Sequence, residues 1–346
     1  MNYKKVNVAV VGVGAVGVEM IRVLRQRHFP VKRLRVFARS ARRIEVDGQS
    51  VDVEAIENAD YGGIDIALFA GTEGAKGASA LYADPFIRAG AVVIDNGSDF
   101  RLKENVPLIV PEANPEAVRD HQGFIANPNC NTIQAIVALA PIHREYGLSK
   151  FLVSSYQAAS GAGKGAVAGL WEETKEIVRI NQDASFDSVR KRISGEPKGF
   201  SHQIAFNVIP QIGSPAEEGF TTEEWKMTYE THKILSDDSI RISSTCVRVP
   251  VFTSHSEAIY FTPKAQTSVG ELAALLKRSP GIRYQSDDFA LPLDAEGTDD
   301  VFVSRLRKDP SEENSYWLWC VADNLRKGAA LNAVQIAELL ITSNGV

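Results

Sequence analysis

Cysteine is scarce in this chain of 346 residues, and the few present stand far apart. Cys130, Cys246 and Cys320 are odd in number and widely spaced, which argues against a disulfide framework and fits reduced thiols. No CxxC pair, His-rich tract or HExxH helix occurs, so no metal site is expected. Unbroken apolar runs of about 18 residues are missing too, and with them any expectation of a membrane span. The opening residues lead straight into a strand-like stretch without an apolar signal core, so a cytoplasmic protein is expected. Long basic runs are also lacking. The 38 Lys and Arg stand against 43 Asp and Glu, a net charge of −5, which points away from nucleic acid. The basic clusters are short and suit small anions.

What is present alternates. Val6–Val11 reads as a buried strand, and Ala15–Arg27 as a helix with its apolar face at Val16, Met20, Val23 and Leu24. Leu34–Ala38, Ile64–Phe69 and Ala91–Asp95 read as further strands, with a helix near Gly74–Ala89. This repetition predicts a Rossmann-type, doubly wound parallel sheet in an α/β protein. After Cys130 the texture changes. Asn131–Tyr146 and Val167–Ile180 read as helices; Phe151–Tyr156, Ile240–Val249, Glu257–Phe261, Val301–Leu306 and Tyr316–Val321 read as strands. Two of these runs flank Pro250–Ser256, which predicts an antiparallel pair. A second, α+β domain with a mixed sheet is expected over 130–324. The final helix, Leu325–Ile341, should return to the first domain, giving 1–129 plus 325–346 as one discontinuous unit.

Gly12-Val13-Gly14-Ala15-Val16-Gly17 is a GxGxxG turn between the first strand and first helix. Gly12 allows the tight turn, Gly14 lets a pyrophosphate approach, and Gly17 permits close helix–strand packing. The N–H groups at Ala15 and Val16 then open the helix toward phosphates. About 20 residues on, a NAD site would offer an acid. This chain has Arg39 and Ser40 there, which suit a 2′-phosphate and favour NADP. Arg42 and Arg43 are compatible with a solvated loop.

Asn127–Thr132 is the most distinctive segment. Pro128 and the flanking asparagines mark a helix start, with an apolar stripe at Ile133, Ile136, Val137 and Ala140. Cys130 at that start would have its thiol pKa lowered, the property of a nucleophile. A small buried residue is the alternative, and it is the preferred reading for Cys246 and Cys320. A thiolate attacking an acyl carbon needs a proton shuttle and a binder for a charged substrate. Arg248 and His255 flank one turn and offer both, His255 in a polar setting where it would titrate near neutral pH. Gln157–Lys164 follows a strand and leads into a helix, but Gly165 stands where a Walker loop has Ser or Thr. Arg101, ending Asp95–Arg101, is a candidate phosphate clamp.

Together these residues resemble the aspartate-β-semialdehyde dehydrogenases. The likeness runs through Gly12–Gly17, Asp95–Arg101, Asn127–Thr132, Tyr156–Gly163, Ala205–Ile212, Glu223–Lys226, Cys246–Glu257 and Asn324–Ala330, in consistent order. It implies NADPH-dependent reduction of β-aspartyl phosphate to aspartate semialdehyde, toward lysine, methionine and threonine, by a homodimer built on the second, catalytic and dimerisation domain, with 1–129 plus 325–346 as the NADP-binding domain. It also implies a thioester on Cys130, His255 as acid/base, and Gln157 orienting the substrate. Arg248 would bind the α-carboxylate and Glu223, or its neighbour Glu224, the α-amino group. Arg101, Asn129 and Lys226 would hold phosphate; Ser160, Gly161 and Asn324 would help bind cofactor. Arg179–Gly199 matches nothing and is read as a loop or a dimer-arm helix. N-acetylglutamyl-phosphate reductases share the Cys–His logic and are the alternative within enzymes; a non-catalytic cofactor-binding relative is the other.

Overall fold

The computed structural model describes residues 4–71, 74–181, 193 and 195–342. Strand β1 (Val6–Val11) leads through the glycine turn into helix α1 (Ala15–Gln26), followed by β2 (Val31–Ala38), β3 (Arg42–Val46), β4 (Gln49–Ala55), β5 (Ile66–Phe69), α2 (Ala78–Arg88), β6 (Val92–Asp95) and β7 (Phe124–Ala126). These strands form one sheet in the order β3-β4-β2-β1-β5-β6-β7. Its pairings are parallel except for β3 against β4. Parallel strands covered on both faces read as continuous apolar runs, as β1 and β5 do. The β3–β4 hairpin is absent from the expectation above, although Asp47-Gly48, both at positive φ, is the turn chemistry a two-residue hairpin requires.

The second half runs α3 (Cys130–Tyr146), β8 (Leu148–Gln157), α4 (Lys164–Ile180), α5 (Thr222–Leu235), β9 (Arg241–Arg248), β10 (His255–Pro263), α6 (Val269–Arg278), β11 (Ile282–Tyr284), α7 (Pro292–Ala295), β12 (Val301–Lys308), β13 (Tyr316–Ala322) and α8 (Leu331–Thr342). Its mixed sheet has the order β11-β12-β13-β10-β8-β9. The expected antiparallel pairing of the two runs around Pro250–Ser256 is not what forms. Strand β8 lies between them, parallel to β9 and antiparallel to β10. The seven-residue separation of Arg248 and His255 is therefore a crossing over β8 and not a tight hairpin. The loop-or-arm expectation for Arg179–Gly199 falls mostly outside the described residues.

Helix α3 was expected to bury one stripe. Instead every residue from Asn131 to Ile142 is buried, because α3 shares one apolar cluster with strands of both sheets. Each of Ile133, Ile136, Leu139 and Ile142 contributes about 1.5–3 kcal/mol by leaving water. On the other face of the first sheet, α1 and α8 pack with β1 and β6 in a second cluster. The chain enters α8 through a wide turn over Arg326–Ala330, whose Gly328 and Ala330 amides donate five residues back to Asp323 and Leu325. Such π turns widen a helix locally and recur beside functional sites.

One buried acid lies within the second sheet. Glu257 on β10 is fully buried between Ser155 and Cys320 of its neighbouring strands. Burial holds its carboxyl well above the usual carboxylate range, with the Gln134 amide acting the other way. The unfolded chain loses this proton near its ordinary value of about 4.3, whereas the folded chain keeps it. Stability therefore falls as pH rises above that value, until the buried group itself ionises. Glu257→Gln is expected to remove this loss, the gap widening by up to about 1.4 kcal/mol per pH unit. Urea unfolding at pH 5, 6.5 and 8 checks it; identical pH slopes for the two proteins would contradict it.

Candidate active site

Strand register builds the site. Gln157 ends β8 and pairs with Arg248 at the end of β9, while Ser256 on antiparallel β10 pairs with Tyr156. Because β10 runs the other way, its first residue, His255, reaches the same sheet edge as the last residues of β8 and β9. Arg248, Gln157 and His255 thus stand abreast. The side chains of Arg248 and His255 converge further: a Cβ added to Gly161 would lie 2.9 Å from Arg248 Nη1 and 3.2 Å from His255 Nε2.

The imidazole of His255 is fully buried. Its Nδ1 accepts the Ala158 backbone N–H at 3.0 Å, so the proton of the neutral ring resides on Nε2. Among the described residues Nε2 has no hydrogen-bond partner. Burial, and then the neighbouring Arg248, holds its pKa well below the usual imidazole value. The expectation of titration near neutral pH is therefore overturned. Serine neighbours in sequence do not solvate a ring that faces inward. Arg248 is buried too, its Nη1 donating to the Ala158 carbonyl at 2.5 Å. Gln157 donates to Ser155 Oγ at 3.2 Å.

Cys130 is the first residue of α3. Asn129 caps the helix, its side chain accepting the Asn131 N–H at 3.0 Å. Opposite lies the wide turn, where a Cβ on Gly328 would stand 2.9 Å from Cys130 Cβ. The residue keeps partial exposure, yet its thiol pKa is pushed up to about 12. Desolvation is the largest cause, Glu223 adds to it, and Arg248, Arg101 and the Asn131 N–H oppose it. The expected lowering is thus corrected: the helix start is present, but desolvation outweighs it. Burial likewise raises the thiols of Cys246 and Cys320, as the structural reading of both requires.

Helix α5 supplies the charged wall. Its start is a capping box in which Thr221 and Glu224 exchange hydrogen bonds, a Thr-x-x-Glu signal that the sequence reading passed over. The box separates the adjacent acids. Glu224 accepts the Thr221 and Cys246 amides, whereas Glu223 accepts from Asn129 Nδ2 at 2.8 Å and Lys226 Nζ at 3.3 Å. Arg101 is buried against Glu230 of the same helix at 2.9 Å. Glu230 belongs to no motif and was missed.

Gly161, next to Arg248 and His255, also borders a cleft of about 1020 Å³ lined by Gly12, Gly14, Ala15, Val16, Arg39, Ser40 and Arg42, and by Ser160 from the second half. It fits a dinucleotide in three respects. Gly12 is at φ +100° and Gly14 is open where a Cβ would project. A Cβ on Gly17 would meet Gly12 O at 1.9 Å, so the turn demands glycine there. The N-terminus of α1 has no side-chain cap and no acid in its first turn, leaving its amides for an anion. Arg39 and Ser40 are exposed at the far end, and Arg42 on β3 donates to Ser40 Oγ at 3.3 Å. The solvated-loop reading is corrected for both: Arg43 is solvated but stands on strand β3, paired with exposed Asp52, and Arg42 on the same strand lines the cleft. Asn324 does not line the cleft. Its Oδ1 accepts from Ser160 Oγ and the Ser254 amide, tying the cofactor side to the strand start that carries His255.

Comparison with known proteins finds relatives over nearly the whole chain. Residues 7–121 match the family model described as semialdehyde dehydrogenase, NAD binding domain, and 139–327 match the semialdehyde dehydrogenase dimerisation domain. The aspartate-semialdehyde dehydrogenase of Aquifex aeolicus is 44% identical, the match covering 96% of this chain and 97% of the relative. That of Bacillus subtilis is 43% identical, again over 96% and 97%. The crystal structure of aspartate semialdehyde dehydrogenase II from Vibrio cholerae in complex with ASA is 42% identical, with a TM-score of 0.90 over 98% of this chain and 99% of that one.

Proposed function

The chain belongs to the aspartate-semialdehyde dehydrogenase family, and from that premise we propose that it is an NADP-dependent enzyme reducing β-aspartyl phosphate to aspartate semialdehyde through a thioester on Cys130. This step leads toward lysine, methionine and threonine. The observation that carries the reading is the convergence of Arg248, Gln157 and His255 at one sheet edge, with the electrostatic influence of Arg248 and Arg101 reaching Cys130.

In the reductive direction, Cys130 Sγ bonds to the acyl carbon as the carbon–oxygen bond to phosphate breaks, and the departing phosphate carries the thiol proton. Arg248 holds the substrate α-carboxylate and Glu223 its α-amino group. Arg101, Lys226 and Asn129 hold the phosphate. NADPH held in the cleft would supply a hydride to the thioester carbon; the carbon–sulfur bond then breaks to release the aldehyde, and the Cys130 sulfur regains a proton from solvent. His255 Nε2–H donates to the carbonyl oxygen as charge develops there, a role for a neutral imidazole held in one tautomer. Gln157 orients the acyl group. Gly12, Gly14, Ala15, Val16, Ser160 and Gly161 hold the cofactor, with Asn324 fastening Ser160 from behind.

A homodimer through the second sheet is part of the proposal. Leu152 and Tyr156 share one face of β8 and are exposed, Tyr156 packing on Trp319, as a face meant for a second copy would be. Among the described residues no helix is long and apolar enough to cross a membrane, and no His, Cys, Asp and Glu cluster could hold a metal. A cytoplasmic location is proposed on the reduced cysteines.

The test is phosphate-dependent oxidation of aspartate semialdehyde with NADP or NAD at equal concentration, with N-acetylglutamate semialdehyde as competitor. NADP and the aspartate aldehyde are expected to be preferred. Replacing Arg39 and Arg42 together by alanine is expected to raise KM for NADP by about 10–100-fold while leaving that for NAD within about threefold. An equal change for both cofactors would remove the 2′-phosphate reading.

A further inference from the structure

Glu223, Lys226, Glu230 and Lys233 follow one another along α5 at spacings of three, four and three, which places them on one helix face. The first two border the site already described. Glu230 lies one turn deeper and is 1% exposed. Its Oε1 accepts from Arg101 Nη1 at 2.9 Å, and its Oε2 accepts the backbone N–H of Asn129 at 2.6 Å. One carboxylate therefore bridges two segments that are 28 residues apart in sequence, Arg101 and the cap of the helix that begins with Cys130. The same helix also fastens the chain just beyond Arg101. Lys233 Nζ donates to the carbonyls of Arg101, Lys103 and Val106, each at 2.7 Å. Arg101 Nη2 is further held by the Asn96 carbonyl at 2.7 Å.

We propose that Glu230 is the positioning residue of the phosphate pocket, aiming the Arg101 guanidinium and holding Asn129 so that the anion-binding groups keep register with the Cys130 thiol. The proposal rests on the reading above that Arg101 and Asn129 bind phosphate. Its physical basis is geometric economy. A buried guanidinium without a fixed carboxylate partner has no single orientation, and a buried amide at a helix cap needs an acceptor. Both oxygens of Glu230 are used, one for each. Glutamine retains the shape but presents one acceptor where two are needed, so Glu230→Gln satisfies Arg101 or the Asn129 amide and not both.

The test is steady-state kinetics of semialdehyde oxidation with phosphate, NADP and aspartate semialdehyde varied in turn. Glu230→Gln is expected to raise KM for phosphate by about tenfold or more, while the other two KM values stay within about twofold. Glu230→Asp keeps the charge but is too short to span both partners. It is expected to give the same signature and carries the test if the glutamine variant does not fold. A matching rise in all three KM values, or a loss in kcat alone, would indicate general loosening and overturn the proposal. Arg101→Ala separates the two readings. If it leaves the phosphate KM unchanged, the phosphate site itself is misassigned. If it raises that KM while both Glu230 variants leave it alone, only the positioning role fails.

Discussion

Cys130→Ala is expected to lower the phosphate-dependent oxidation of aspartate semialdehyde by about four orders of magnitude or more, because no other thiol can take its place. Cys246 and Cys320 are fully buried in β9 and β13, and burial keeps both protonated. Cys130 alone is partly exposed. Its raised pKa, about 12, bears on how it reacts. At neutral pH the resting thiol is protonated, so the proton leaves as the sulfur attacks and a phosphate oxygen can take it. The wild-type protein mixed with β-aspartyl phosphate in the absence of cofactor should gain the mass of one aspartyl group, and Cys130→Ala should gain none. Equal turnover by the two proteins would remove Cys130 from the mechanism.

The second large effect concerns His255. Its replacement by alanine is expected to lower kcat by about 10²–10³-fold with little change in KM for the semialdehyde, the signature of a donor lost mainly in the transition state. The wild-type ring makes a sharper statement. Nδ1 is occupied by the Ala158 N–H, and burial disfavours the charged form. Because the folded pKa lies well below the ordinary imidazole value of about 6.5, the ring stays neutral through that pH and above it. Nitrogen-15 NMR should therefore find one neutral tautomer, protonated at Nε2, unchanged from pH 6 to 8. The kcat profile should lack an inflection near pH 6.5. An inflection there that disappears in the alanine variant would restore a titrating acid/base.

Much of the scaffold was legible because its signals are local. Strand β1 and helix α1 announce themselves by apolar periodicity and by the glycines between them, where sterics leave no other choice: at Gly17 a side chain would collide with the carbonyl of Gly12. Cys130 at a helix start was legible for the same reason, through Pro128 and the asparagine cap. Other local signals were present and unread. Asp47-Gly48 marks the hairpin that brings Arg42 to the cleft, and Thr221-x-x-Glu224 marks the start of α5. Reading that capping box would have assigned Glu224 to the helix start and left Glu223 for the site.

What local pattern could not supply is which strands become neighbours and what each buried side chain meets. Arg248 and His255 looked like the two ends of a hairpin; pairing energy over the whole sheet instead inserted β8 between them and brought Gln157 into line. The protonation states followed from the same packing. A helix start argues for a reactive thiolate and a serine-rich loop for a titrating histidine, but the desolvation that reverses both is a property of everything folded around them. Glu230 had no signal at all, since its role exists only where α5 meets Arg101 and Asn129. By itself, then, the sequence determined the elements, the glycine turn and the identity of the nucleophile candidate, because these depend on neighbours along the chain. Tertiary structure alone decided the charge states, the strand order that aligns Arg248, Gln157 and His255, and the bridge at Glu230, because these depend on neighbours in space.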